Sequence, residues 1–168
     1  MIIAFIADIH DRLDNLELVL AELAQTDAEA LIFCGDLTNS NILGRLAGGW
    51  DKEIHLCLGN GDIEDDIKAT IDRERLLRVY CHQLIGRLTF GKRHVAFTHK
   101  PKDAAVLLAD DRLDVVAYGH THEALAEKHS HIWLVNPGDI QGRFGRAPSY
   151  ALYDTDTDLV TLHDILSD

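Results

Sequence analysis

Five short motifs in this chain each contain good metal ligands, and most of them follow an apolar run. They are Asp8-Ile9-His10, Gly35-Asp36, Gly59-Asn60, Thr98-His99 and Gly119-His120-Thr121-His122. Ligand sites in open α/β sheets lie at the carboxyl ends of strands, so side chains that follow strands stand where such a site forms. Polar residues two positions apart share one side of a strand, whereas in a helix they point roughly 200° apart. The first and last motifs therefore predict an extended or loop backbone.

The ligand types in these motifs are oxygen and imidazole, with no thiolate. This mixture suits Mn²⁺, Fe, Zn²⁺, Co²⁺ or Ni²⁺ better than a pure Mg²⁺ or Ca²⁺ site. Seven candidate ligands are too many for one ion with open positions and about right for two ions that share a carboxylate. Two ions roughly 3.5–4 Å apart can hold an activated water and clamp phosphoryl oxygens. This chemistry indicates a hydrolase of phosphate esters.

The composition narrows the class of protein. A chain of 168 residues fits one domain, and its net charge of −12 argues against non-specific nucleic-acid binding. No apolar run approaches the roughly 20 residues of a membrane span, and no signal peptide is recognisable, so we expect a cytoplasmic protein with no membrane partner. Three cysteines without CxxC spacing argue against a disulfide framework or a closed zinc site. Cys34 and Cys57 lie in apolar runs and are expected to be buried.

The first half of the chain alternates strands and helices. Its apolar runs predict strands at Ile2–Ala7, Ala30–Cys34 and Ile54–Leu58, and its amphipathic segments predict helices at Asn15–Ala24, Ile42–Leu46 and Asp65–Leu77. A β-α-β-α-β series favours a largely parallel sheet with covering helices.

The second half is rich in short strands. They are predicted at Leu84–Phe90, His94–Thr98, Leu113–Tyr118, Ala124–Lys128, Trp133–Val135, Tyr150–Asp154 and Leu159–Asp164. Gly91-Lys92 is typical of a hairpin turn, and Pro101 precedes a predicted helix at Lys102–Ala109. Two sheets packed face to face with helices outside would accommodate both halves.

The ordered set of motifs resembles the calcineurin-like metallophosphoesterase superfamily, whose pattern runs D-x-H, G-D, G-N, H and G-H-x-H. The resemblance extends into Asn136-Pro137-Gly138 and Pro148-Ser149-Tyr150-Ala151, which are similar to the ending of the small prokaryotic phosphodiesterase branch. The retromer subunit with the same fold belongs near this branch. The resemblance implies an α/β protein with a four-layer α/β/β/α sandwich, in which two mixed sheets are flanked by helices.

The resemblance also implies ligand roles. The first metal would be held by Asp8, His10 and His122, and the second by Asn60, His99 and His120, with Asp36 bridging both. Asp36, Asn60 and His99 are then the expected catalytic residues.

Three positions depart from the family pattern. Gly61 stands where His or Cys often follows the asparagine. The absence of a histidine at this position removes an obvious general acid. Asp62 is the nearest replacement, although capping of the following turn or helix is the favoured interpretation. Asp11 and Lys100 each occupy a position where glycine is common, and Lys100 either contacts a substrate phosphate or is simply exposed.

Three arginines are candidates for phosphate contacts. Arg12, Arg143 and Arg146 each carry a guanidinium that suits bidentate phosphate binding. Loop arginines are more often only solvated, so both interpretations stay open.

The function expected from these features is a single-domain phosphodiesterase spanning residues 1–168. Its cofactors would be two divalent transition metal ions, with Mn first and Fe, Ni, Co or Zn as alternatives. A hydroxide bridging the metals would attack a small phosphate ester. The alternatives are a non-catalytic metal-binding scaffold for protein interactions and a small-nucleotide phosphatase. A homodimer is a further expectation.

Overall fold

A computed structural model describes residues 1–165 of the chain. In the first half, β1 is Ile2–Ile6, α1 Leu13–Leu23, β2 Ala28–Phe33, α2 Asn41–Gly49, β3 Glu53–Leu56, α3 Glu64–Glu74 and β4 Val79–Cys81. In the second half, β5 is Ile85–Phe90, β6 Arg93–Thr98, α4 Pro101–Leu107, β7 Val115–Ala117, β8 Leu125–His129, β9 Ile132–Asn136, β10 Ser149–Asp154 and β11 Leu159–Asp164. A 3₁₀ turn spans Arg143–Gly145. No helix of the described part is long and apolar enough to cross a membrane.

The strands form two mixed sheets. The six-stranded sheet has the order β11-β10-β1-β2-β3-β4, and the five-stranded sheet has the order β5-β6-β7-β9-β8. In the larger sheet β1 to β4 run parallel, as expected from the alternation of strands and helices, while β10 and β11 pair antiparallel. Because β1 and β2 are covered on both faces, almost all of their residues are buried and apolar.

Three apolar clusters define the layers. One lies between the two sheets and contains Phe5, Ile32 and Phe97. A second packs α1, α2 and α3 on the outer face of the larger sheet, and a third packs α4 on the smaller sheet through Ala104 and Leu107. The four-layer α/β/β/α sandwich predicted from the sequence is therefore confirmed.

The structure corrects the prediction around α3. The helix ends at Glu74 rather than Leu77, because Arg75 adopts a left-handed conformation with φ of 53°. The short strand β4 follows, which the sequence analysis missed. The predicted hairpin between β5 and β6 is present, and Gly91 has the positive φ of 62° that its turn requires.

Candidate metal centre

Both sheets contribute to one cluster of polar side chains. Asp8, Asp36 and Asn60 follow β1, β2 and β3 of the larger sheet, whereas His99 and His120 follow β6 and β7 of the smaller one. All five strands present their carboxyl ends to the same region. The motifs thus come together at the strand ends, where the sequence predicted them.

The first group of candidate ligands is Asp8, His10 and His122. Nε2 of His10 lies 3.6 Å from Oδ1 of Asp8, and Nε2 of His122 lies 3.7 Å from the same oxygen. The Asp8 side chain is completely buried, while the His10 side chain is about one-fifth exposed. The two imidazole rings stack with their centroids 5.2 Å apart. These ligand atoms face a common point.

The second group is Asp36, His99 and His120. Nε2 of His99 lies 3.4 Å from Oδ2 of Asp36, 3.1 Å from Nδ1 of His120 and 3.1 Å from Oδ1 of Asn60. A single N–H on Nε2 cannot serve three such neighbours at once. One cation among these atoms would satisfy all of them.

Asp36 lies between the two groups. Its Oδ2 is 3.5 Å from Nε2 of His10 in the first group and 3.4 Å from Nε2 of His99 in the second. Its other oxygen accepts a hydrogen bond of 2.7 Å from the Gly61 N–H. This position is the one that a bridging carboxylate requires.

Two buried polar atoms in the first group have no hydrogen-bond partner among the described residues. They are Oδ1 of Asp8 and Nε2 of His10. Leaving such atoms unsatisfied typically costs about 1–3 kcal/mol each. Both point toward the space between the ligand groups, so a divalent cation would remove the penalty. The residues present therefore fit the metal that their chemistry predicts.

The backbone at the centre is held in an unusual conformation. Five of the seven predicted ligands have left-handed φ values between 44° and 71°, and they are Asp8, His10, Asp36, His120 and His122. Such conformations cost roughly 1–3 kcal/mol each and persist only where the surroundings impose them. At Asp8 and Asp36, backbone hydrogen bonds from Asp8 N to Gly35 O and from Ile9 N to Asp36 O hold the two loops together.

Glycines allow the ligand loops to approach one another. A Cβ at Gly59 would lie 2.1 Å from Oδ1 of Asp36, and a Cβ at Gly119 would lie 2.8 Å from Oδ2 of Asp8. Neither position has room for a side chain. The Gly-Asn and Gly-His pairs of the motifs therefore reflect close packing as much as turn formation.

Two histidines are oriented by acceptors behind them. Nδ1 of His122 contacts Oδ2 of Asp139 at 2.7 Å, and Nδ1 of His99 contacts the buried carbonyl of Cys34 at 2.9 Å. Such contacts hold the proton on Nδ1 and leave Nε2 free to bind a metal. The sequence analysis missed Asp139. Its signal was present, because Gly138-Asp139 follows β9 as Gly35-Asp36 follows β2.

The carboxylates shift the ionisation of their neighbours. Burial alone would raise the pKa of Asp36, but the contacts with His99 and the Gly61 N–H lower it to about 2. The contact with Asp8 raises the pKa of His10 against the opposing effect of burial. Burial also opposes the charged form of His99, yet the neighbouring Asp36 raises its pKa. The centre thus favours positive charge among its carboxylates.

Comparison with known proteins identifies the family. The model of the calcineurin-like phosphoesterase superfamily domain matches residues 1–158. The chain belongs to this superfamily. It is a metal-dependent phosphoesterase, a hydrolase that acts on phosphate esters, as the motif set predicted.

Two curated relatives of this phosphoesterase are phosphodiesterases. Phosphodiesterase MJ0936 of Methanocaldococcus jannaschii is 26% identical over 160 residues, which cover 93% of this chain and 94% of the relative. Phosphodiesterase YfcE of Escherichia coli is 28% identical over 182 residues, which cover 98% of this chain and 94% of the relative. The small prokaryotic branch indicated by the sequence is therefore confirmed.

Solved structures support the fold. An archaeal phosphodiesterase superposes with a TM-score of 0.87 at 22% identity, over 98% of this chain and 99% of that chain. A single mutant of Vps29 from Entamoeba histolytica has a TM-score of 0.65 at 15% identity, over 99% of this chain and 100% of that chain. The fold thus occurs in this phosphoesterase and in a protein-sorting protein.

The positions that depart from the family pattern have structural explanations. A Cβ at Gly61 would lie 2.7 Å from Cγ2 of Thr38, so Thr38 occupies the space that a larger residue at position 61 would need. Asp11 adopts a left-handed φ of 61°, which explains why glycine suits its position and why aspartate is tolerated there. Lys100 has an ordinary φ of −90° and precedes α4, so no glycine is required.

Asp62 does not cap α3, contrary to the favoured interpretation. The residue before that helix is Ile63, with no side-chain cap. Instead, the Asp62 carboxylate accepts hydrogen bonds of 2.8–2.9 Å from the backbone N–H groups of Asp36, Thr38 and Gly59. It ties two ligand loops together. Because both of its oxygens act as acceptors, it is poorly suited to donate a proton.

Proposed function

We propose that this chain is a single-domain phosphodiesterase, spanning residues 1–168, that binds two divalent metals. The ligands are Asp8, His10 and His122 for one metal, Asn60, His99 and His120 for the other, and Asp36 for both. The observation that carries the proposal is the position of the Asp36 carboxylate between the two ligand groups, the first of which contains two buried atoms without partners. Manganese is the metal we propose first, because the oxygen and imidazole donors suit it.

Two divalent cations, when bound, would supply a bridging hydroxide nucleophile and neutralise charge on the phosphoryl oxygens. The chain's own residues position the reaction. Asn60 is exposed at the rim, where its amide can contact a phosphate oxygen as negative charge develops. His99 is 1% exposed and its Nδ1 is held by the Cys34 carbonyl, so its Nε2 stays fixed beside Asp36.

Among the residues that the structure describes beside Asn60, no acid for the leaving group is evident. Position 61 is glycine, and Asp62 is occupied by three backbone N–H groups. Protonation of a leaving alkoxide should therefore be slow, and phosphodiesters with acidic leaving groups should react best. Aryl diesters are the expected substrates in an assay.

The decisive experiment is a metal titration with an aryl phosphodiester and the matching monoester, measured side by side. We expect no hydrolysis without metal, saturation near two equivalents of Mn²⁺, and faster hydrolysis of the diester. A series of phenol leaving groups should then show rates that rise as the pKa of the phenol falls. Rates independent of that pKa, with chemistry limiting, would contradict the absence of a general acid.

The alternatives give different outcomes in the same experiment. Two tightly bound metals without hydrolysis of any phosphate ester would favour a non-catalytic interaction scaffold, the alternative raised by the fold likeness to Vps29. Preferred hydrolysis of nucleoside monophosphates would favour a small-nucleotide phosphatase. Sedimentation of the metal-loaded protein would test the proposed homodimer.

A further inference from the structure

Two of the three arginines predicted as phosphate contacts hold neighbouring loops in place. Arg12 donates to the Asp14 carboxylate at 3.0–3.1 Å and to the Gln141 carbonyl at 3.3 Å. Arg146 donates to the His122 carbonyl at 2.9 Å and to the Glu123 carboxylate at 3.2 Å. The side chains of Arg12 and Arg146 therefore stabilise the loops around the centre.

Arg143 is held beside the first ligand group by its loop. The Gln141 N–H donates to the Asp8 carbonyl at 3.1 Å, and the Gly142 N–H donates to Oδ1 of Asp139 at 3.0 Å. The other oxygen of Asp139 orients His122. The residue before Arg143 is thus anchored to the carboxylate that also positions a candidate ligand.

The shape of this loop is also fixed. Gly142 has a left-handed φ of 67°, and a Cβ there would lie 3.1 Å from the Arg146 carbonyl. A single 3₁₀ turn then carries Arg143 to an exposed position. Arg143 is therefore an exposed cation that directly follows two anchors of its loop, the Asp8 carbonyl and the Asp139 carboxylate, which belong to or orient the first ligand group.

We propose that Arg143 binds the unesterified oxygens of the substrate phosphate at the first ligand group. The inference rests on the proposed function and adds a substrate-binding residue to it. A diester has two unesterified oxygens, and a guanidinium presents two parallel N–H groups to such a pair. Lysine supplies a point charge without this geometry, so it should replace arginine only in part.

The test compares Arg143→Ala and Arg143→Lys with wild-type protein, using inorganic phosphate as the probe. Binding is measured by calorimetry on protein loaded with Mn²⁺, with metal content determined for each variant. Arg143→Ala should weaken phosphate binding about 10- to 100-fold, the range for charge-assisted hydrogen bonds, and Arg143→Lys should be intermediate. For an aryl diester, KM should rise more than kcat falls.

Arg112→Ala is the matched control. The Arg112 side chain is 81% exposed and pairs with Asp110, away from the ligand loops. It should bind phosphate and metal as the wild type does.

Three results would overturn the proposal. They are unchanged phosphate binding in Arg143→Ala, equal losses of phosphate and metal in that variant, and no phosphate binding by the wild type. One result would separate this inference from the proposed function. Phosphate binding that depends on Arg143, in a protein that hydrolyses no phosphate ester, would support the role of Arg143 and refute the proposed phosphodiesterase activity.

Discussion

Two pairs of histidines in this chain have similar burial and opposite surroundings. His10 and His99 lie among the carboxylates of the metal centre. His55 and His82 lie among aromatic rings at the edge of the larger sheet, with Nδ1 of His55 3.1 Å from Nε2 of His82. His55 stacks on the Tyr80 ring at 5.0 Å. The two pairs therefore differ in whether carboxylates or aromatic rings surround the imidazoles.

The neighbours decide the sign of the pKa shift. In the metal-free centre, Asp8 and Asp36 raise the pKa of His10 and His99 despite burial. Burial lowers the pKa of His55 and outweighs the opposing contact with Glu53, and burial also lowers the pKa of His82. A buried histidine beside carboxylates can thus accept a cation, while one among aromatic rings is kept neutral.

The largest effect should come from removing the shared carboxylate. Asp36→Ala takes an oxygen from both ligand groups, so hydrolysis of an aryl diester should fall by at least about a thousandfold. Steady-state rates at measured metal content would test this. Asp72→Ala, in the exposed part of α3, is the control. Near-normal turnover of Asp36→Ala would refute the ligand assignment.

A smaller loss should follow from removing a carboxylate that only orients a ligand. Asp139→Asn keeps the shape of the side chain but weakens its hold on Nδ1 of His122, so metal affinity should fall about 10- to 100-fold. Competition with a chelator would measure the affinity. Unchanged affinity would mean that His122 needs no support from Asp139.

A histidine can also be added to the centre. Gly61→His should clash with Thr38, so the test is the double variant with Thr38→Ala, and Thr38→Ala alone is the control. A new general acid should speed hydrolysis of esters with poor leaving groups by about a hundredfold, the low end of general acid catalysis. Rates across the phenol series should then depend less on leaving-group pKa. An unchanged dependence would show that a histidine at this position does not protonate the leaving group.

The smallest effect concerns pH and stability. Because the pKa of His55 and His82 is lowered in the folded protein, the unfolded chain binds more protons just below its own histidine pKa of about 6.5. This pair therefore lowers the free energy of unfolding as the pH falls through that window. In metal-free protein, His10 and His99 have the opposite effect on the free energy of unfolding, because their stabilising contribution is lost as the pH rises through their raised pKa.

The variant His82→Gln separates these opposing contributions. Glutamine keeps an N–H near His55 but does not titrate, so Tm of the metal-free protein should fall less between about pH 7.5 and 5. His129→Gln, on the exposed strand β8, is the control. An identical pH dependence of Tm in wild type and His82→Gln would refute the role of this pair.

The sequence predicted that the histidines of the candidate metal centre lie together, but it did not predict the surroundings of the other pair. His10, His120 and His122 were found from their spacing and from the strands before them, which are local features. The residues next to His55 in the sequence do not indicate which rings surround it, and it is only 7% exposed. It is buried by Tyr80 and Phe90, which come from strands that local periodicity does not place beside it.

The same distinction explains the errors in the fold. Long apolar runs such as Ile2–Ile6 were recognised because burial on both faces leaves a local pattern. The three residues of β4 carry too few positions for any period, and the end of α3 depends on the left-handed conformation of Arg75. Gly138-Asp139 has the pattern of a carboxylate at a strand end, but the partners of Asp62 and Asp139 could not be predicted, because they lie on loops that meet only after the sheets form.

The lack of space at Gly119 has a consequence for comparing members of this superfamily. A methyl group at that position would press against the Asp8 carboxylate, although none of the candidate ligand residues is itself substituted. A homologous chain can therefore retain a complete set of ligands and still be unable to assemble them. Inferring activity from an alignment consequently requires checking the small residues between the ligands as well as the ligands themselves.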